Sequence, residues 1–366
     1  MGAIENVSRA TPVVPRAVVK AQAAVAKPAA ERDQLALSTS ALSRADQAAY
    51  QAVSGALGAA DRAKLAALLA KGGLAAKDSQ GQSLLANLQA VATMNVPAGA
   101  PYTAKEALAQ LVGHLADPQR VQQADHNTCG PTTVQYLLLT RQPAEYARLV
   151  AGLLGGEGRV KLQGGQELAR VGDSLANDGS GRDDLNRLLQ AAMIDQGGHL
   201  RGRYSNVDDR WHAPTSFWRH PIQAISNKLA GWVGGNFGIG ETSEKRLFEQ
   251  VLGLKAHTIG DVPFTDFLLP KFLRDRAYDE VVKAVAAGKV VAVDIVTNEL
   301  HDAPGAQEEH VLDRSKLSYS DAMKSHQILI TGIADGKVSY RNPWGYETFM
   351  SQAEFKSRLQ DGTISA

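Results

Sequence analysis

The only cysteine in 366 residues, Cys129, lies in the stretch Gln123-Ala-Asp-His126-Asn127-Thr128-Cys129-Gly130-Pro131-Thr-Thr-Val134-Gln-Tyr136-Leu137-Leu138-Leu139. Asn127 and Thr128 are N-cap residue types, and Pro131 suits a first helical turn because its missing N–H would be unpaired there anyway. Val134, Leu137 and Leu138 recur at helical spacing, and Tyr136 and Leu139 widen the apolar face until little of the helix could meet water. Cys129 is thus expected at or just before the N-terminus of a largely buried helix. Unpaired N–H groups and the positive end of the helix dipole would favour its thiolate and lower its pKa. A lone cysteine is otherwise a small buried hydrophobe, so its meaning depends on what else the chain places beside it.

A second stretch, roughly two hundred residues later, supplies a base and an orienting amide: Ser325-His326-Gln327-Ile328-Leu329-Ile330-Thr331-Gly-Ile333-Ala334-Asp335-Gly336-Lys337-Val338-Ser339-Tyr340-Arg341-Asn342-Pro343-Trp344-Gly345. Two β-prone runs flanking Asp335-Gly336 read as a hairpin. A two-residue loop would set Asn342 opposite Leu329, on the face away from His326. A three-residue loop, Ala334 to Gly336 with Gly336 left-handed, would set Asn342 opposite Ile328, diagonal to His326 at roughly 7–8 Å between backbones. The second register also gathers Ile328, Ile330, Val338 and Tyr340 on one apolar face, so the three-residue loop is expected.

These residues resemble the papain-like cysteine peptidases: Cys129-Gly opening a helix, a later His at the head of a strand, and Asn-Pro-Trp-Gly closing the next. The ending Arg341-Asn342-Pro343-Trp344-Gly345 is similar to that of calpains. Cys129-Gly130-Pro131 is similar to the bacteriocin-processing peptidases and related bacterial proteins. The resemblance implies Cys129 as nucleophile, His326 as general base and acid, and Asn342 as orienter. It implies Trp344 as the aromatic shielding the His–Asn bond, and Gln123, six positions before Cys129, as an oxyanion donor. It covers about residues 119–145 and 280–346. The Cys–His separation exceeds the roughly 130–150 residues of the papain type, and Thr132 and Thr133 stand where a tryptophan often follows the nucleophile.

Around these motifs the chain is a large globular protein with ample residues for a core. The net charge of +1 gives no reason to invoke nucleic acid. One cysteine excludes an intrachain disulfide and a Cys-rich zinc site. No apolar run approaches a membrane span. The N-terminus lacks a Sec signal, and Asn6 breaks the myristoylation pattern. A cytoplasmic location or export by a non-Sec route is the expectation.

Residues 1–37, proline-bearing and without aromatics, read as a disordered leader. Residues 38–118 read as a helical N-terminal module, with helices over Ser43–Leu57, Ala59–Leu69, Ser83–Met94 and Thr103–Leu115. Residues 119–366 read as the catalytic domain, with a helix over Pro143–Leu154 and two more within 165–195, the second from about Asp183 to Ile194. A glycine- and tryptophan-rich insertion follows around 197–245. A helix from Tyr278 to Gly288 and a strand from Lys289 to Val296 lead into the His326 hairpin. Gly234 to Gly240 lacks the spacing of a dinucleotide fingerprint. The loop from His301 to His310 reads as solvated rather than as a metal site, and His126 is expected to face solvent or the loop. The fold class is α+β, a papain-like cysteine protease fold with an all-helical N-terminal extension.

The activity this implies is cysteine-dependent amide-bond hydrolysis of a protein or peptide substrate, with no metal or other cofactor. The same triad serves transglutaminases, deamidases and acyltransferases, among them bacterial effectors. A non-catalytic binding module on a papain-like scaffold is the alternative of a different class. Neither oligomeric state nor cleavage specificity follows from the residues.

Overall fold

The computed structural model describes residues 39, 42–97, 100–198, 203–212, 241–260, 271–297, 300, 310–314, 317 and 325–366. The expected leader, most of the glycine- and tryptophan-rich stretch and the loop from His301 to Glu309 lie outside them. Helices dominate the first half: α1 (Arg44–Ala56), α2 (Ala59–Ala70), α3 (Leu84–Ala92), α4 (Ala104–Ala116), α5 (Cys129–Arg141) and α6 (Pro143–Leu154). Three of these helices are capped by side chains at their N-termini. Ser43 and Ser83 accept from the backbone three residues on, and Thr103 with Glu106 makes a reciprocal capping box.

Between α6 and the next helix the chain departs from expectation. A short ribbon, β1 (Arg159–Lys161) with β2 (Glu167–Ala169), stands where the first of two helices was expected. Gly165, Gly179 and Gly181 all take positive φ there, which interrupts helical geometry. Only α7 (Asp184–Gly197) forms, capped by Asp183. A small hairpin follows, β3 (Arg203–Ser205) with β4 (Arg210–His212), then α8 (Glu241–Gln250).

The second half carries β5 (Ala256–Ile259), α9 (Lys271–Ala286), β6 (Val291–Val296), β7 (Ser325–Ala334), β8 (Lys337–Asn342), β9 (Tyr346–Ser351), α10 (Gln352–Arg358) and β10 (Leu359–Ser365). The six strands form one antiparallel sheet in the order β5-β10-β6-β7-β8-β9. The architecture is mixed helix and sheet, α+β. Alternation along β6 and β7 divides the core. Val291, Val293, Ile295, Ile328 and Ile330 face α9 and α10, whereas Val290, Ala292 and Leu329 join the core of α1 to α8. The N-terminal helices therefore share one apolar core with α5, which carries Cys129. Among the described residues no helix is long and apolar enough to cross a membrane.

The hairpin loop differs from expectation. Ala334 pairs with Lys337 across a two-residue turn, with Asp335 at φ 50° and Gly336 at φ 74°, a pair of left-handed residues as a type I′ turn requires. The register does not continue unbroken. A bulge at Thr331 shifts it, so that Leu329 pairs with Arg341. One step further, Asn342 lies level with Ile328, where the three-residue loop would have put it. The extra residue sits inside the strand instead of in the turn, and its effect on facing is the same.

Candidate functional site

The site forms where the head of β7, the end of β8 and the start of α5 meet. β8 ends at Asn342, level with Ile328, so Gln327, which pairs with Asp294 on β6, lies beyond the length that β8 covers. Its N–H turns to the sulfur of Cys129. The thiol therefore sits against the peptide that directly follows His326. Cys129 is the first residue of α5 and keeps partial exposure.

His326 is buried, and its Nε2 lies 3.0 Å from Oδ1 of Asn342. The same Oδ1 accepts the backbone N–H of Trp344 at 3.0 Å, while Nδ2 of Asn342 donates to Tyr346 Oη at 3.3 Å. Since a backbone N–H can only donate, it fixes which end of the amide is oxygen. That oxygen requires Nε2 of His326 to carry the hydrogen. Nδ1 of the neutral ring is then the basic nitrogen. The Trp344 indole stacks on the imidazole at 4.7 Å between centroids and 23° between planes, with 41% of its surface exposed. It covers the His–Asn pair on its outer side.

The two halves of the site are tied together across the chain. Gln123 donates its backbone N–H to the carbonyl of Pro343 at 2.9 Å. Buried Arg341 donates to the side chain and the carbonyl of Gln119 and, at 2.8 Å, to the carbonyl of Val121. Gly345 adopts φ 105°, and a β-carbon there would come within 3.2 Å of Gln122, so glycine lets the Trp344 turn lie against the loop before Cys129. The Gln123 side chain is buried. Its Nε2 donates to the carbonyl of His126 at 2.7 Å, which occupies one of two amide hydrogens.

Burial pushes the Cys129 thiol up to about 12, with the Asp294 carboxylate adding to the shift. The N–H groups of Gln327 and Gly130 pull the other way, and Glu244 adds a smaller upward push. This reverses the expected lowering: the helix N-terminus favours the thiolate, but desolvation and two nearby carboxylates outweigh it. Burial thus favours the neutral thiol, which rests against the peptide N–H of Gln327.

Two further residues differ from expectation. The Thr128 side chain makes no cap bond and instead donates to Oε1 of Gln190 at 3.1 Å. His126 is buried rather than facing solvent, with Nε2 3.0 Å from the carbonyl of Asn206. Asp294, Glu244 and Gln190 went unnoticed in the sequence. Only the alternation of β6, which puts Asp294 on the face of Ala292, could have drawn attention to Asp294. Among the described residues no group of acidic, histidine or cysteine side chains is arranged to hold a metal. No protein-family model, curated protein or solved structure matches this chain.

Proposed function

We propose that this protein is a cysteine-dependent amide hydrolase with a papain-like fold, acting on a protein or peptide substrate through Cys129, His326 and Asn342. The observation that carries the reading is the Asn342 amide. Its orientation is fixed by Trp344, so it presents an acceptor to Nε2 of His326 and leaves Nδ1 as base, with the Cys129 sulfur at the adjoining peptide.

His326 Nδ1 takes the proton of the Cys129 thiol as sulfur attacks the substrate carbonyl carbon. The carbonyl oxygen becomes an oxyanion, for which the backbone N–H of Cys129 and the remaining amide hydrogen of Gln123 are the available donors. The imidazolium returns its proton to the leaving amine as the C–N bond breaks, giving a thioester. Water, deprotonated by His326, then attacks the thioester, releasing the acid and restoring the thiol. Asn342 holds the ring in one tautomer throughout. Because the resting thiol lies far above neutral pH, its deprotonation is coupled to attack rather than completed beforehand.

The test is turnover of a peptide library and labelling by a thiol-directed activity probe, comparing wild type with Cys129→Ala. Turnover in the wild type and none in the variant is expected. Equal turnover in both would refute the reading.

A further inference from the structure

Resting on that reading, we infer that Asp209, on the small hairpin formed by β3 and β4, is the positioning residue that sets the first turn of α5 and so the orientation of Cys129. The helix start does not hold itself. Thr128, the N-cap residue, has φ −111° and ψ 27°, and its side chain makes no cap bond. The residues before it are held from outside. Asp209 accepts the backbone N–H of Asn127 at 3.2 Å on Oδ1 and 3.0 Å on Oδ2, and Nδ2 of Asn127 at 2.7 Å on Oδ2. One carboxylate thus claims both the peptide and the side chain of the residue two before the nucleophile.

The carboxylate is itself fixed. Buried Tyr204 donates its hydroxyl to Oδ1 of Asp209 at 2.6 Å, and its own backbone N–H donates to Asp195 on α7 at 2.8 Å. Asp209 adopts φ 49°, a left-handed conformation uncommon outside glycine and asparagine or aspartate. The hairpin grips the loop a second time where His126 meets the carbonyl of Asn206 at 3.0 Å. Two successive residues before Thr128 are therefore anchored to one ribbon. The Cys129 N–H, an oxyanion donor in the proposed reaction, takes its direction from that anchorage.

Asp209→Asn isolates the carboxylate's role. Asparagine tolerates positive φ as well as aspartate does, so the backbone conformation is kept, but one side-chain oxygen cannot accept from three donors. Tyr204→Phe removes one donor and leaves the Asn127 contacts. On the full-length chain, three quantities are measured: the rate of Cys129 alkylation by iodoacetamide, followed by intact mass; kcat and KM for peptide turnover; and the melting temperature.

For Asp209→Asn, kcat should fall on the order of tenfold to a hundredfold with KM unchanged, as misplacing a reacting group by an ångström does. The alkylation rate should change by at least about threefold, with a melting temperature within a few degrees of wild type. Tyr204→Phe should move kcat the same way by less. An unchanged kcat, or losses in both variants that only track melting temperature, would overturn the assignment. If the wild type turns over nothing, the hydrolase reading fails instead. The alkylation rate, which needs no turnover, then still decides whether Asp209 positions the thiol: equal rates in wild type and Asp209→Asn would refute it.

Discussion

Two single-residue deletions in the hairpin of β7 and β8 should have opposite consequences, although each removes an exposed side chain. Deleting Thr331 removes the residue that the bulge leaves unpaired. Ala334 still meets Lys337, Ile330 still meets Tyr340, and Asn342 still arrives level with Ile328 on the face of His326. The strand simply becomes regular, and stability should change by about 1 kcal/mol or less, as expected of an exposed site outside any network. Deleting Ser339 instead shortens β8 by one and reverses the facing of everything beyond it. Tyr340, 1% exposed, would leave the core, at a cost of about 1.5–3 kcal/mol. Arg341 would give up its carbonyl partners at Gln119 and Val121, at about 1.5–3 kcal/mol for charged hydrogen bonds. It would then turn into an apolar face, which adds several kcal/mol more. Together these approach the roughly 5–15 kcal/mol that holds a typical domain folded. Urea denaturation with peptide turnover reads both outcomes: near-wild-type values for the Thr331 deletion, and loss of folding or of all activity for the Ser339 deletion. A Thr331 deletion as damaging as the Ser339 deletion would refute the register reasoning and Asn342's dependence on it.

Asp294→Asn removes the nearby carboxylate that helps hold the Cys129 thiol at about 12, so the pH midpoint of iodoacetamide alkylation should fall, yet stay above the ordinary value of about 8.5 because burial remains. In the wild type the folded thiol stays protonated while the unfolded one ionises at about 8.5, so this group's contribution to stability is complete below that pH and is lost between there and about 12. Cys129→Ser, which does not ionise in that window, should flatten this part of the stability profile in denaturant titrations at successive pH values. Arg341→Met should destabilise the fold by about 1.5–3 kcal/mol through the unpaired carbonyls of Gln119 and Val121, seen as a lower urea midpoint.

Much of the site was legible because its parts are local patterns. Pro131 and the apolar periodicity placed Cys129 at the head of α5, although neither Asn127 nor Thr128 caps it through its side chain. The alternation of Ile328, Ile330, Val338 and Tyr340 fixed which face Asn342 must share with His326, even though the loop length assumed for it was one residue too long. Hydrophobic facing constrains the far end of a strand, where a one-residue slip would turn Lys337 and Arg341 to the apolar face that Val338 and Tyr340 occupy. It says nothing about whether the compensating residue sits in the turn or at Thr331, since both positions are exposed.

What the sequence did not disclose is non-local. β10 carries one such feature: a β-carbon at Gly362 would lie 2.5 Å from the carbonyl of Ala292, so close approach to β6 selects glycine there. The Cys129 pKa turned on the same kind of information. A helix N-terminus can be seen in one stretch of residues, whereas the carboxylates of Asp294 and Glu244 reach the thiol only through the packing of β6 and α8. Local sequence thus reports the helix N-terminus that favours the thiolate, whereas tertiary packing supplies both the Gln327 N–H that adds to it and the burial and carboxylates that outweigh it. In the proposed reaction that balance puts the work of activating Cys129 on His326. A base of that kind must keep one tautomer, and this is what the Asn342 amide, oriented by the Trp344 N–H, provides.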